Sequence, residues 1–128
     1  MEFVSVVILV ALLEYMFFGL ATGQARVKYE VAAPATTGNP VFERTLRVQQ
    51  NTLEQLIVFV PSTWLFATYI NPLAAAILGI AFIVGRALYF QGYIADPEKR
   101  TTGFAIGFLA NAILLLGSLV GVIIAWAT

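Results

Sequence analysis

Residues 42–55 read FERTLRVQQNTLEQ and run directly into LIVFVP at residues 56–61. The first stretch carries two arginines, two glutamates, three glutamines and an asparagine, whereas the second is apolar. We predict one helix whose polar half lies at the edge of a membrane and whose apolar half enters it. This helix would place hydrogen-bonding side chains at the membrane boundary and just inside it, where an ordinary span has none.

The composition is that of an integral membrane protein. The chain has 128 residues, of which 60% are hydrophobic and 11% charged, and its mean hydropathy is +0.88. A soluble domain of this length would have roughly a quarter charged residues. We therefore expect residues 1–128 to form a single membrane domain. The net charge of zero argues against a nucleic-acid partner.

The chain contains no cysteine and no histidine. This excludes disulfides, zinc sites of the Cys/His type, a protein thiol nucleophile and a histidine base, and we predict no metal site. Any thiol chemistry must therefore use a thiol that a ligand supplies.

Asx-Pro dipeptides divide the chain at Asn39-Pro40, Asn71-Pro72 and Asp96-Pro97. Asn and Asp are good N-caps, and Pro is favoured at the first helical position, so each dipeptide predicts a helix start. The N-terminus lacks the basic flank and the cleavage site of a secretory signal, so we expect its apolar run to be a retained span. The predicted helices cover about residues 3–29, 40–69, 72–94 and 99–126. Each is near or above the ~20 residues that cross a bilayer. The predicted fold is an all-α integral membrane bundle of four transmembrane helices.

Basic residues predict how the bundle is oriented. They flank the first and third connections between helices, and the second connection has none. The positive-inside rule then puts the first and third connections in the cytoplasm and both termini on the opposite side. In a bacterium the expected location is the inner membrane.

Glycine pairs on the fourth helix predict close helix packing. Gly103/Gly107 and Gly117/Gly121 are small-xxx-small pairs. Such pairs let the backbones of two helices approach each other, within one subunit or between subunits.

Polar faces on the second and third helices lie at matching depths. The spacing is i, i+4, i+7 on one helix and i, i+3, i+7 on the other, so each set shares a face. The two sets are Arg47, Asn51, Glu54 and Arg86, Tyr89, Tyr93. Counting 1.5 Å per residue from the outer helix ends puts Glu54 at ~22 Å and Arg86 at ~21 Å. A Glu54–Arg86 ion pair that only ties the helices is one interpretation. A polar pocket on the cytoplasmic side for a ligand with carboxylates is the other.

Several of these segments resemble one known family. Residues 26–29 (RVKY), 37–40 (TGNP), 42–55 and 86–93 (RALYFQGY), followed by Lys99 and Arg100, are similar to segments of the MAPEG family, the membrane-associated proteins in eicosanoid and glutathione metabolism. The nearest branch is that of leukotriene-C synthase and the type-two microsomal glutathione transferases. The resemblance covers about residues 24–104, in the order and spacing of that family.

The resemblance implies a homotrimer with glutathione, the co-substrate, bound between neighbouring subunits and open to the cytoplasm. The residues implied to hold glutathione from one subunit are Arg47, Asn51, Glu54, Tyr89 and Tyr93, and the neighbour is implied to contribute Arg26 and Gln49. Arg100 matches the catalytic arginine that stabilises the glutathione thiolate. Arginines suit the two carboxylates of glutathione, and Glu54 can accept from its ammonium group.

The implied activity is that of a membrane-bound glutathione S-transferase or glutathione-dependent peroxidase. Its second substrate would be a lipophilic electrophile or a lipid hydroperoxide that arrives from the membrane lipid. Gln55 stands where leukotriene-C synthase has a glutathione-contacting tyrosine, and Val27 stands where that enzyme has a second arginine. These departures favour a general detoxifying enzyme over leukotriene synthesis.

Glu14, in the middle of the first helix, supports a different interpretation. A lone carboxylate in a membrane is a functional hypothesis by default, and small four-helix multidrug transporters use one for proton-coupled export. A buried hydrogen bond from Glu14 to Asn111 of the fourth helix is the structural interpretation. A third hypothesis is a non-catalytic, lipid-binding member of the same family.

Overall fold

The computed structural model describes all residues, Met1–Thr128. It contains α1 (Glu2–Lys28), α2 (Pro40–Tyr69), α3 (Pro72–Ala95) and α4 (Thr101–Ala127), with a short 3-10 turn over Pro97–Arg100 before α4. There are no strands, so the predicted all-α class is confirmed.

The Asx residues cap the helices as expected from the sequence. Asn39 Oδ1 accepts hydrogen bonds of 2.9 and 3.1 Å from two backbone N–H groups in the first turn of α2. Asn71 Oδ1 accepts one of 2.9 Å in the first turn of α3, and Asp96 Oδ1 accepts one of 3.1 Å in the 3-10 turn. Each side chain thereby satisfies N–H groups that a helix start leaves without partners.

α2 and α3 are antiparallel neighbours. At one end of the pair, Arg44 Nε donates to the backbone oxygen of Ile94 at 3.1 Å. Towards the other end, the rings of Phe59 and Phe82 stack with their centroids 4.1 Å apart. Both rings are fully buried, so this stack lies in the centre of the apolar core.

Alternate helices run in the same direction, which makes the fold an up-and-down bundle. α1 is parallel to α3, α2 is parallel to α4, and α2 contacts the other three helices. The contacts that fix these directions are Val7–Gly79 and Phe18–Phe90 for the first pair, and Gln55–Asn111 and Ser62–Ser118 for the second.

Both glycine pairs of α4 lie at close helix contacts, as predicted. Gly103 and Gly107 lie against the backbone of α3, and a Cβ atom built on Gly103 would overlap Tyr89 N. Gly117 and Gly121 lie against the end of α2, where an added Cβ would come within 2.6 and 2.5 Å of side-chain atoms. Within this chain the pairs hold α4 against α3 and α2.

Three segments are long and apolar enough to cross a membrane: Glu2–Lys28, Pro72–Ala95 and Pro97–Ala127. α2 has the length but not the composition, because its first half carries charged and amide side chains. Large apolar side chains on α1 and α4 are exposed, among them Leu20 (67%) and Leu116 (60%). Surfaces of this kind are matched by lipid rather than by water.

Candidate functional site

A fully buried arginine organises the polar part of the bundle. Arg86 of α3 donates from Nη2 to Asn51 Oδ1 at 2.7 Å and to Thr52 Oγ1 at 3.0 Å, and from Nε to Thr52 Oγ1 at 3.3 Å. Its guanidinium carbon lies 4.4 Å from the centroid of the Tyr89 ring. Because a buried charge is tolerated only when it is well hydrogen-bonded, these contacts hold Asn51 and Tyr89 in fixed positions.

The Glu54–Arg86 ion pair, one of the two interpretations of the matched polar faces, does not form. Arg86 contacts Asn51 and Thr52 instead, which precede Glu54 on α2 by less than one helical turn. Equal distance along the helix axis does not ensure contact, because the direction of the side chain also turns by about 100° per residue. Glu54 is therefore turned about 60° from Asn51, on the side away from Thr52, and it faces out of the core.

Glu54 pairs with Arg47 of its own helix. Glu54 Oε1 lies 3.8 Å from Arg47 Nη1, and the two side chains are 60% and 50% exposed. Asn51 Nδ2 also donates to Glu54 Oε1, at 3.5 Å. A continuous polar chain therefore runs from the buried Arg86 through Asn51 to Glu54 and Arg47 at the surface of the bundle.

Two tyrosines and a second arginine extend this group along α3. The rings of Tyr89 and Tyr93 stack with centroids 5.4 Å apart, and the guanidinium carbon of Arg100 lies 5.8 Å from the Tyr93 centroid. Arg100 is exposed and donates from Nη1 to the backbone oxygen of Pro97 at 2.9 Å. Tyr93 and Arg47 also line a surface cleft of about 520 Å³ between α2 and the end of α3.

Arg26 and Gln49 are not brought to this group within one chain. Arg26 Nη1 donates to the backbone oxygen of Ala35 at 2.7 Å, and its guanidinium carbon lies 4.6 Å from the Phe42 ring centroid. Gln49 points towards α1, where its Nε2 lies 3.4 Å from a Cβ atom built on Gly19. Both lie on the α1 side of the bundle, away from the group around Arg86.

Thr52 is a member of the polar group that the sequence analysis missed. It lies on the apolar stripe of α2 with Val48, Leu56 and Phe59 and is fully buried. A threonine on such a stripe is usually interpreted as a residue that only fills space in the core. The signal that identifies its role is the combination of a hydroxyl on the buried face of α2 and an arginine at the same level of α3, because a buried guanidinium needs acceptors.

Arg44 also has a role that the sequence did not show. Its Nε donates to the backbone oxygen of Ile94 at 3.1 Å, in the last turn of α3. Carbonyl groups there lack partners within the helix, so the arginine satisfies one of them and ties the start of α2 to the end of α3. Arg44 thereby forms one wall of the cleft beside Arg47.

The expected hydrogen bond between Glu14 and Asn111 does not form. Asn111 Nδ2 donates instead to the backbone oxygen and Oε1 of Gln55, at 3.0 and 3.1 Å. Glu14 Oε1 is buried and has no hydrogen-bond partner. Gln55 thus joins α2 to α4 and does not take part in the polar group around Arg86.

Comparison with known proteins identifies the family. The sequence profile of the MAPEG family matches residues 4–120, which is most of the chain. The chain belongs to the MAPEG family. It is similar to microsomal glutathione S-transferase 2 of Homo sapiens, with 45% identity over 104 residues that cover 80% of this chain and 71% of the relative. Leukotriene C4 synthase of Mus musculus is 35% identical over 77% of this chain and 65% of its own length. An uncharacterized protein of Synechocystis sp. is 52% identical over 85% of this chain and 80% of its own length. The predicted family and branch are confirmed.

In this MAPEG protein the polar group combines several kinds of binding function. Arg47 and Arg100 are exposed cations, Glu54 is an exposed carboxylate, and Tyr93 offers a hydroxyl group. This combination can bind a ligand that carries both carboxylates and an ammonium group. A ligand atom bound over the Tyr93 ring would lie next to the guanidinium of Arg100.

Proposed function

We propose that the chain is a membrane-bound glutathione S-transferase that adds glutathione to lipophilic electrophiles. The observation that carries the proposal is the polar chain from Arg86 through Asn51 to the exposed Arg47–Glu54 pair. Its charges complement those of glutathione. Membership of a family whose named relatives include glutathione S-transferases supports the same function.

Both charges at the amino-acid end of glutathione have a partner in this arrangement. Arg47 binds a carboxylate, and Glu54 accepts from the ammonium group, both as charge-assisted hydrogen bonds. Asn51, held by Arg86, offers its amide group to the peptide bonds of glutathione. The hydroxyl groups of Tyr89 and Tyr93 donate hydrogen bonds to oxygen atoms of the part of glutathione that lies beside α3.

Arg100 activates the thiol. Its guanidinium favours the negatively charged thiolate over the neutral thiol and so lowers the pKa of the glutathione thiol. The proton of the thiol passes to water, and the thiolate sulfur forms a bond to the electrophilic carbon. In a substitution the bond to a leaving group such as chloride breaks and the anion departs, whereas in an addition the double bond of the acceptor opens and its other carbon takes up a proton from water. The same thiolate can attack a lipid hydroperoxide, which is reduced to an alcohol while two glutathione molecules become a disulfide and water is formed.

The arrangement of the subunit supports a homotrimer with the site between neighbouring subunits. Arg47 and Glu54 are half exposed at the subunit surface, whereas Arg26 and Gln49 lie on the α1 side of the same chain. In a closed ring the α1 side of one subunit would complete the site of the next. We propose that all four α-helices cross the membrane, with the site open to the cytoplasm and both termini on the other side.

Glutathione conjugation to 1-chloro-2,4-dinitrobenzene by the purified protein tests this function. Arg100→Ala should lower kcat about tenfold or more, because each pKa unit of thiol stabilisation changes the thiolate fraction tenfold. Lys99→Ala removes the neighbouring cation and is the control that should keep activity. A wild-type protein that neither conjugates glutathione, nor reduces hydroperoxides, nor melts at a higher temperature with glutathione contradicts the proposal.

A further inference from the structure

Glu14 is a membrane carboxylate that the proposed function leaves without a role. It lies halfway along α1, and its Oε1 atom is buried without a hydrogen-bond partner. An ionisable side chain at such a depth is costly and is retained where it faces another polar group.

The polar group that Glu14 faces is Arg86. α1 runs parallel to α3, and the Val7–Gly79 and Phe18–Phe90 contacts have the same offset in residue number as Glu14 and Arg86, so these two residues lie at the same level on packed helices. Arg86 Nη1, like Glu14 Oε1, is buried without a hydrogen-bond partner. The other side of the guanidinium is bound by Asn51 and Thr52, which are both neutral. Arg86 therefore has hydrogen-bond acceptors for Nε and Nη2, whereas Nη1 has none and lies on the helix that packs against α1 at the level of the Glu14 carboxyl group.

No other charged group is available to balance Arg86. α1 packs against α2 and α3. On α2 the charged side chains at this level are Arg47 and Glu54, which pair with each other and are at least half exposed. On α3 the charged side chain at the level of Glu14 is Arg86 itself. Glu14 is therefore the carboxylate left for a guanidinium that is fully buried.

We propose that Glu14 is a positioning residue of the glutathione site, which acts as the counter-charge of Arg86 and thereby fixes Asn51. This inference rests on the proposed function. A long, flexible guanidinium without a counter-charge moves towards water. Such a movement would release Asn51 and Thr52 from their hydrogen bonds with Arg86. Asn51 would then lose its fixed orientation towards Glu54 and the ligand.

Substitutions at Glu14 should change glutathione binding and leave the thiolate chemistry of Arg100 intact. Glu14→Gln keeps the size of the side chain and removes the charge, so the KM for glutathione should rise about tenfold while kcat stays within about twofold. Glu14→Asp should recover most of the affinity. Glu2→Gln makes the same change at a fully exposed position of the same helix and should have no effect. A Glu14→Gln protein with the wild-type KM overturns the proposal.

The pH dependence gives a second signature with a definite sign. The carboxylate is the form that balances Arg86, so wild-type affinity for glutathione should fall as the pH is lowered through the titration of Glu14. Glu14→Gln should show the low affinity throughout and lack this step. Identical pH profiles for the two proteins contradict the proposed coupling.

Carbodiimide labelling tests the pair without glutathione. Dicyclohexylcarbodiimide reacts with protonated carboxyl groups in apolar surroundings, so labelling of Glu14 should disappear as the pH rises. Arg86→Gln should shift this loss to higher pH, because the neighbouring cation no longer favours the carboxylate. Arg86→Lys, which keeps the charge, should stay close to wild type. Equal labelling profiles in all three proteins overturn the pair. If Arg86→Gln shifts the labelling profile but the wild-type protein does not bind glutathione, the Glu14–Arg86 pair stands and only the proposed function is refuted.

Discussion

Thr52 and Thr63 are both fully buried on α2, but their hydroxyl groups make different hydrogen bonds. Thr52 Oγ1 accepts from Arg86, whereas Thr63 Oγ1 donates to the backbone oxygen of Phe59 in its own helix at 2.6 Å. Thr52→Val should lower the free energy of unfolding by about 1–3 kcal/mol, because it leaves buried donors of a charged group without an acceptor.

Thr63→Val is the matched control for Thr52→Val. It should cost much less, since the carbonyl group it releases still accepts its helical hydrogen bond. Thermal melting in detergent measures both, and glutathione affinity should fall only for Thr52→Val. If both variants lose the same amount of stability, the hydroxyl group of Thr52 only fills space in the core and does not support the polar group.

At single residues, spacing along the sequence predicted which side chains meet only in part. The i, i+4, i+7 pattern correctly placed Arg47, Asn51 and Glu54 near one another. It did not predict which of them faces α3, because the packing angle of the helix decides that. Thr52 was missed for the same reason, since its role depends on Arg86 of another helix.

At the level of helices, the contact between α3 and α4 depends on residues without a side chain. A Cβ atom on Gly103 would overlap the backbone of Tyr89, so Gly103→Ala must push the helices apart. We expect a loss of about 1–3 kcal/mol in stability and a weaker affinity for glutathione, because Tyr89 moves with its backbone.

Gly23→Ala is the control for this substitution. Nothing lies within 4 Å of a Cβ atom at Gly23 on α1, and alanine is a better helix former than glycine. Its melting temperature should be unchanged or slightly raised. Similar melting temperatures for both variants in detergent would contradict the close contact at Gly103.

Helix starts were the best-predicted elements, because the Asx-Pro signal is local. Asn39 and Asn71 cap helices through contacts within the next three residues. The start of the fourth helix was predicted less accurately, near residue 99. Asp96 caps a 3-10 turn over Pro97–Arg100, and the α-helix begins at Thr101. The tight turn lies against α3, so its shape reflects a contact that a local signal does not contain.

At the level of the whole molecule, the proposed trimer predicts that two inactive subunits can complement each other. Arg47→Ala and Arg26→Ala should each abolish glutathione binding. When the two variants are co-expressed and assemble at random, about a quarter of all sites should be intact. An intact site forms where a subunit that keeps Arg47 contributes it and the neighbouring subunit keeps Arg26. Tandem purification with two different tags removes the unmixed trimers, so the purified mixture should show about a third of wild-type activity in the conjugation assay. Mixed assemblies without activity would show that each site is built from one chain.

The Arg47–Glu54 pair has a consequence for which solutes the proposed site admits. The two side chains already neutralise each other across 3.8 Å. An inorganic anion that took Arg47 would leave the Glu54 carboxylate without a cation, and a metal cation on Glu54 would leave Arg47 without an anion. A zwitterionic amino-acid end replaces both partners at once. The exchange therefore conserves local charge, so ionic strength affects both sides of the equilibrium alike and the abundant salts of the cell compete poorly.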